Sequence, residues 1–451
     1  ANISFFDDNF LIGKSNVKND FFDVLILARR DIKSAKIPEF VRVIGPYAFE
    51  NCTYLETIEF SDNSNLEIIE HNAFSKSSIQ AISIPNTVTK IGDNCFSECK
   101  NLKKIEFSSN SKLESIGRNA FISSLLRINI FGKDSSLFNR FLEFYKKKYS
   151  FLSNSQPQTN EVSTAQPKKF IESLSIPSSI AVFKEGWCYN TPNLTDIKII
   201  KNETENVILI DDRIVIGKSD PYTDEYDVLL FAARDIETVV IPSFIKRISS
   251  YAFCDCVSLQ KVEFSKDSQL EVIEKSAFSG TSIKTITIPP HVIEIEDFAF
   301  FDCKLLSEVN FSMNSDLKII GNFVFTKSMI ANIVISSNLE RIEKNFFYGI
   351  PNLTSLSVSP SNRYYQYIDN KFLVSKSNSL SSDYDVLVFV RRNIEDAIIP
   401  SFIKIIAPFA FSQCKKLQKV EFPIESELFL IDKNAFESSS ITKISIPSHV
   451  R

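Results

Sequence analysis

Apolar residues recur along this chain at i, i+3 and i+5, with polar residues between them. Clear copies are Leu55-Ile58-Phe60, Ile79-Ile82-Ile84, Leu102-Ile105-Phe107, Leu259-Val262-Phe264, Ile283-Ile286-Ile288 and Leu417-Val420-Phe422. The last two positions stand two apart, the spacing that places side chains on one face of a short strand and turns the alternate residues to solvent. Marked by its last residue, the pattern falls at Ile37, Phe60, Ile84, Phe107 and Ile130, then at Ile176, Ile199, Ile241, Phe264, Ile288, Phe311, Ile335, Val358, Ile399, Phe422 and Ile446. Most steps are 23 or 24 residues. Proline follows the strand at Pro38, Pro85, Pro177, Pro242, Pro289, Pro400 and Pro447, where a missing N–H suits the end of pairing.

A second apolar cluster returns the chain, as in Ile44…Ala48-Phe49, Ile69…Ala73-Phe74 and Ile273…Ala277-Phe278. It reads as a helical or 3₁₀ turn that inserts its Phe into the interior, which accounts for the 40 Phe. One unit cannot bury its own apolar face, whereas stacked neighbours share a continuous core. The spacing therefore predicts an α/β repeat solenoid. It is a leucine-rich-repeat array with short stacked strands, short helical or 3₁₀ turns and inserted β-hairpins.

Two unit types alternate, one spelled as in residues 99–107 with "CxxLxxIEF", the other with "SxIxxIxIP", as in the stretch that ends at Pro85. A longer period near 158 residues overlies them: residues 226–264 match 384–422 closely and 22–60 more loosely. Each such block opens with a predicted hairpin, residues 10–12 pairing with 24–27 in the first. Between Ile130 and Ile176 the strand pattern stops. Residues 136–152 suggest an amphipathic helix capping the first array, and residues 153–167 have a linker's composition. The predicted organisation is one array over 1–149 with a closing helix, a polar linker or insertion over 150–169, and a second array over 170–451. The gap equals two repeat lengths, so a solenoid continuing in phase and two tethered arrays fit the spacing equally.

The unit "IPxxVxxIGxxAFxxCxxLxxIxF", as in Ile84-Pro85…Val88…Ile91-Gly92…Phe96…Cys99…Leu102…Ile105…Phe107, resembles the BspA-like leucine-rich repeats of bacterial surface antigens and anaerobic protists. Val41…Ile44-Gly45…Ala48-Phe49…Cys52…Leu55…Ile58…Phe60 matches it too. The resemblance implies a surface or secreted adhesin-like protein that binds host or matrix proteins or other cells. The chain departs from the family's spelling where the Gly after Ile becomes Glu, Asp or Ser, as in Ile69-Glu70.

Composition narrows the chemistry. Ten Gly leave little room for phosphate-cradling loops, and a net charge of -4 gives no electrostatic case for a nucleic-acid partner. No cofactor is expected. No apolar run reaches the roughly 20 residues of a membrane helix, and a start at Ala1 reads as a fragment or mature segment. Cys52, Cys99, Cys256, Cys303 and Cys414 share one repeat position, too far apart for disulfides or zinc and suited to serving buried backbone groups. His71, His291 and His449 lack a recurring nucleophile partner, so a hydrolase triad has no support and the protein reads as non-enzymatic. Asp220, Asp224 and Asp227 lack a calcium-loop spelling, and Asp227 matches Asp23 and Asp385 at a hairpin.

The ordered polar display lies on the strands. Glu59, Glu106, Glu263 and Glu421 stand between inward residues, and Thr57, Lys104, Lys261 and Lys419 stand two residues earlier. Alternation puts both columns on the face expected to be concave, where solenoids bind proteins. The blander reading is a solvated sheet with neighbouring Lys–Glu pairs. Two functions follow: adhesion or protein binding at the cell surface or after secretion, and an intracellular scaffold on the same solenoid.

Overall fold

A computed structural model describes residues 2–16, 18, 21–108, 110–122, 171–312, 315–378 and 381–450. The expected closing helix over 136–152 and the linker over 153–167 lie outside them. The chain divides into two compact units, residues 1–175 and 176–451, each described here by itself.

Both units are solenoids of short strands. In the first, Ser34–Ile37 pairs in parallel with Thr57–Phe60, and Ala81–Ile84 with Lys104–Phe107. In the second, Thr238–Ile241 pairs with Lys261–Phe264, Asn332–Ile335 with Ser355–Val358, and Asp396–Ile398 with Lys419–Glu421. Ile58, Ile82, Ile105, Val262 and Val420 are buried as the period of two requires. The next partner of Lys104–Phe107 is the stretch 173–174. That stretch occupies the place the spacing assigned to a strand ending at Ile130, which lies outside the described residues.

Apart from Lys104–Phe107 with 173–174, each parallel pair of these longer strands spans a 23-residue step. Across the 24-residue steps, such as Phe60 to Ile84, no ladder forms among the described residues. The longer unit has two extra residues in its first loop (Phe60 to Leu66 against Ile37 to Val41). It has one fewer before the strand (Ser77 to Ile79 against Cys52 to Leu55). Its strand therefore enters from a shortened loop, and the units are joined instead by Ser78 N–H to Cys52 O and Gln80 N–H to Glu56 O, both 3.2 Å.

The returning segment differs from expectation. Its first part is a second, two-residue strand: Val43–Ile44, Ile68–Ile69, Lys90–Ile91 and Ser115–Ile116 pair in parallel from unit to unit. Its second part is a turn, and no helix occurs among the described residues. The backbone donors explain why. The N–H groups of Tyr47, Phe49 and Asn51 go to the carbonyls of His71, Ala73 and Ser75 in the following turn, at 3.3, 2.7 and 2.9 Å. Donors spent between units cannot form an i→i−4 ladder. Residues four apart, Tyr47 and Asn51, then Asn72 and Lys76, hold positive φ, which no right-handed helix tolerates. The helical reading is replaced by a hydrogen-bonded column of turns.

Phe side chains from that column stack inside. Phe49, Phe74, Phe96 and Phe121 follow one another at 5.0, 5.4 and 6.0 Å between centroids in the first unit. Phe253, Phe278, Phe300 and Phe325 repeat this at 4.9, 5.2 and 5.6 Å in the second. Burying each ring contributes about 1.5–3 kcal/mol, and near-parallel offset packing adds about 0.5–1.5 kcal/mol.

The hairpins are present. Phe10–Gly13 pairs antiparallel with Val24–Ala28, with a bulge between Leu11 and Ile12, and Ile3–Phe6 adds a third strand. Ile214–Gly217 with Val228–Ala232, and Phe372–Ser375 with Val386–Val390, repeat the arrangement and the bulge.

Candidate functional site

The strand faces carry the predicted columns. Thr57, Glu59, Lys104 and Glu106 in the first unit, and Lys261, Glu263, Lys419 and Glu421 in the second, are all exposed, each flanked by a buried residue. Thr57 and Glu59 lie opposite Ser34 and Lys36 in register. Among the described residues of these columns, the charge pairing runs along single strands and not between neighbours. Lys104 meets Glu106 at 2.6 Å and Lys419 meets Glu421 at 2.5 Å, two residues apart on one strand, and Lys261 pairs with Glu263 in the same way. The hydrogen bond that Lys419 donates to Glu421 raises the Lys419 pKa. Such solvated pairs are weak, so both partners stay available to a ligand.

Around this face the other candidate chemistry resolves into structure. All eight cysteines are free and buried. The Cys99 and Cys303 thiols donate to the Phe74 and Phe278 carbonyls at 3.0 and 3.1 Å, the backbone service expected of that repeat position. Burial pushes both thiols up to about 12 and Cys188 up to about 11, so none of the three is poised as a nucleophile. Asp227 accepts hydrogen bonds from the backbone N–H and hydroxyl of Ser219 at 2.8 and 2.7 Å, closing the hairpin loop. Asp385 does so with Ser377, both at 2.8 Å, and Asp23 with Ser15, so the hairpin role holds in all three blocks. Among the described residues no three His, Cys, Asp or Glu converge as a metal site. His291 faces Asp316 at 3.0 Å, with both side chains largely exposed, and His71 packs edge-on against Tyr47. Among the described residues no helix is long and apolar enough to cross a membrane.

A recurring arginine escaped the sequence reading. Arg234 and Arg392 are buried, each donating to backbone carbonyls on both sides of a hairpin block. Arg234 reaches Ala252 O at 2.9 Å and Cys188 O at 3.2 Å, and Arg392 reaches Ala410 O at 2.8 Å and Phe347 O at 2.9 Å. Each guanidinium also lies over a Phe ring, Phe231 at 4.3 Å and Phe389 at 4.5 Å. Half-buried Arg30 makes the bonds to the following turn, to Ala48 O and Tyr47 O. The hairpin interrupts the column of turns, and the fork of N–H groups supplies donors that a turn would have given. The signal was present: each Arg stands 22 residues before a cysteine of the repeat, Cys52, Cys256 or Cys414.

Comparison with known proteins agrees with this architecture. The family model described as the BspA type leucine-rich repeat region matches in six copies over residues 26–148, 228–354, 271–380 and 385–451, together more than half of the chain. The pneumococcal vaccine antigen PcpA is similar in structure, with a TM-score of 0.51 at 16% identity over 99% of this chain and 92% of that one. A leucine-rich repeat protein from Eubacterium ventriosum gives a TM-score of 0.48 at 18% identity, covering 99% and 94% of the two chains. A leucine-rich cell surface protein from Faecalibacterium prausnitzii gives 0.45 at 16%, covering 97% and 96%. No curated protein sequence matches the chain.

Proposed function

We propose that this chain, which belongs to the BspA-type leucine-rich-repeat family, is a non-enzymatic protein of the cell surface or secreted space that binds a protein ligand and thereby mediates adhesion. The ligand is a host cell-surface or matrix protein, or the surface of another cell. The observation that carries the reading is the pair of exposed polar columns on strands whose alternate residues are locked in the core. Thr57, Glu59, Lys104, Glu106, Lys261, Glu263, Lys419 and Glu421 are the contact residues. A rigid backbone presents them with little ordering cost on binding, and their weak mutual pairs yield readily to a partner's charges. PcpA is a vaccine antigen and the Faecalibacterium protein a cell surface protein by description, which is the context this reading adopts.

A pull-down with the whole chain against host surface and matrix proteins tests it. Charge reversal at Glu106, Lys261 and Glu263 weakens what is captured. Capture indifferent to all three reversals contradicts the assignment of the strand face.

A second reading, an intracellular scaffold using the same face, draws on the eight free thiols, since unpaired cysteines suit a reducing compartment. Protease treatment of intact cells separates the two: a surface protein is cut before lysis, a scaffold only after it.

A further inference from the structure

The second unit also contains a cleft of about 450 Å³ where its first hairpin meets the following repeat. Its lining includes apolar Ile208 and Ile216, aromatic Tyr226 and Phe244, the carboxylates of Asp224 and Glu225, and Lys246. Phe244 is 45% exposed, whereas the stacked phenylalanines of the turns, such as Phe253 and Phe278, are fully buried. The core gains little from a ring placed there. Tyr226 is fixed by its hydroxyl, which donates to Glu205 O at 2.9 Å, and by the Lys218 ammonium 5.1 Å above its ring. The Asp224 side chain is fully exposed, with its nearest cation, Lys218, 3.8 Å away, and Glu225 is held by Lys246 at 3.0 Å.

Three of these features recur 158 residues later. Tyr384 donates to Arg363 O at 3.2 Å beneath Lys376, Phe402 is 46% exposed, and Lys404 stands in the place of Lys246. An exposed phenylalanine kept at this place in all three hairpin blocks, as Phe40, Phe244 and Phe402, marks a contact position.

We propose that the Tyr226–Phe244 cleft is a second protein-binding site, which takes a lysine or arginine side chain on an extended segment of the partner. The chemistry fits one occupant. A long aliphatic stem lies along Ile208 and Ile216, the cationic head passes the face of Phe244, and the Asp224 and Glu225 carboxylates receive it. A purely apolar side chain would gain nothing from the carboxylates, and an acidic one would meet them as like charge. The site rests on the protein-binding reading above and adds an anchor at the hairpin to the strand face.

The test is fluorescence anisotropy of labelled tetralysine, tetraglutamate and chitotetraose with the whole chain. Tetralysine binds and tetraglutamate does not. Phe244→Ala weakens tetralysine at least ten-fold, and so does Asp224→Asn combined with Glu225→Gln, with thermal midpoints unchanged. The strand-face reversals at Glu106, Lys261 and Glu263 leave it unaffected, so failure here is separable from failure of the strand-face assignment. If the carboxylate variant weakens binding and Phe244→Ala does not, the attraction is diffuse charge and the cleft is no site. Chitotetraose binding that depends on Phe244, with tetralysine unbound, overturns the proposal in favour of a glycan.

Discussion

The guanidinium of Arg392 donates to the carbonyl of Phe347, 45 residues earlier in the chain, at 2.9 Å, and with its other terminal nitrogen to Ala410 O at 2.8 Å. One side chain thus joins the turn before a hairpin to the turn after it. Arg392→Met keeps the stem and leaves buried carbonyls without donors, each an expected loss of about 1–3 kcal/mol. Arg392→Lys, a point donor without the fork, recovers less than half of that. Urea unfolding of the three proteins measures both values, and a Met variant within 0.5 kcal/mol (roughly the scatter for a neutral surface change) contradicts the bridging role.

Phe300 sits between Phe278 and Phe325, at 5.2 and 5.6 Å. Phe300→Ala is expected to cost about 3–5 kcal/mol, and Phe300→Leu about half as much, since Leu fills much of the volume but ends the stack. Denaturant titration checks this. A Phe300→Leu variant as stable as the native protein would deny the stack any contribution beyond volume.

Glu296 supplies a pH dependence. Burial first, then the neighbouring Glu274 carboxylate, pushes its carboxyl up to about 7 from the ordinary 4.5. The folded protein therefore holds this proton more tightly than the unfolded chain does. Stability is unaffected below about 4.5, falls as pH rises from 4.5 to 7, and stays reduced above. Glu296→Gln retains an acceptor for the Lys275 N–H. It is expected to raise stability at pH 8 by about 1–2 kcal/mol after allowance for solvent screening, and to be neutral at pH 4. Melting curves at both pH values test the difference, and a gain of equal size at both would assign the effect to something other than ionisation.

The buried thiols make a chemical prediction. Native protein at pH 8 resists iodoacetamide at Cys99 and Cys303, and both react once denaturant opens the solenoid. Mass spectrometry of the alkylated peptides reads this directly. Rapid native labelling at either position would contradict the Phe74 and Phe278 carbonyl contacts.

Much of this architecture was legible in the spacing of apolar residues. Leu55-Ile58-Phe60 and its copies place the long strands because a period of two with one buried face is unambiguous over four residues. The strand at Ile68–Ile69 is only two residues long, too short for any period to register. The Ile…Ala-Phe spacing that follows it coincides with one helical face. What decides against a helix is the donation of Phe49 N–H to Ala73 O, a contact between units that no single unit spells. The exposed columns were readable for the same reason as the strands. That Lys104 pairs along its own strand and not across to a neighbour depends on side-chain geometry that the letters do not contain. The Arg234 bridge was missed because a lone arginine in an apolar stretch ordinarily reads as surface charge, and its partners are carbonyls, which every residue has.

The strand-face assignment is tested most directly by photo-crosslinking to a captured ligand, with a benzophenone side chain placed at 106, at 261 or at exposed Lys76 on the turn column. Crosslinks from 106 and 261 and none from 76 are the predicted result. Efficient crosslinking from 76, with silence at 106 and 261, would contradict the account.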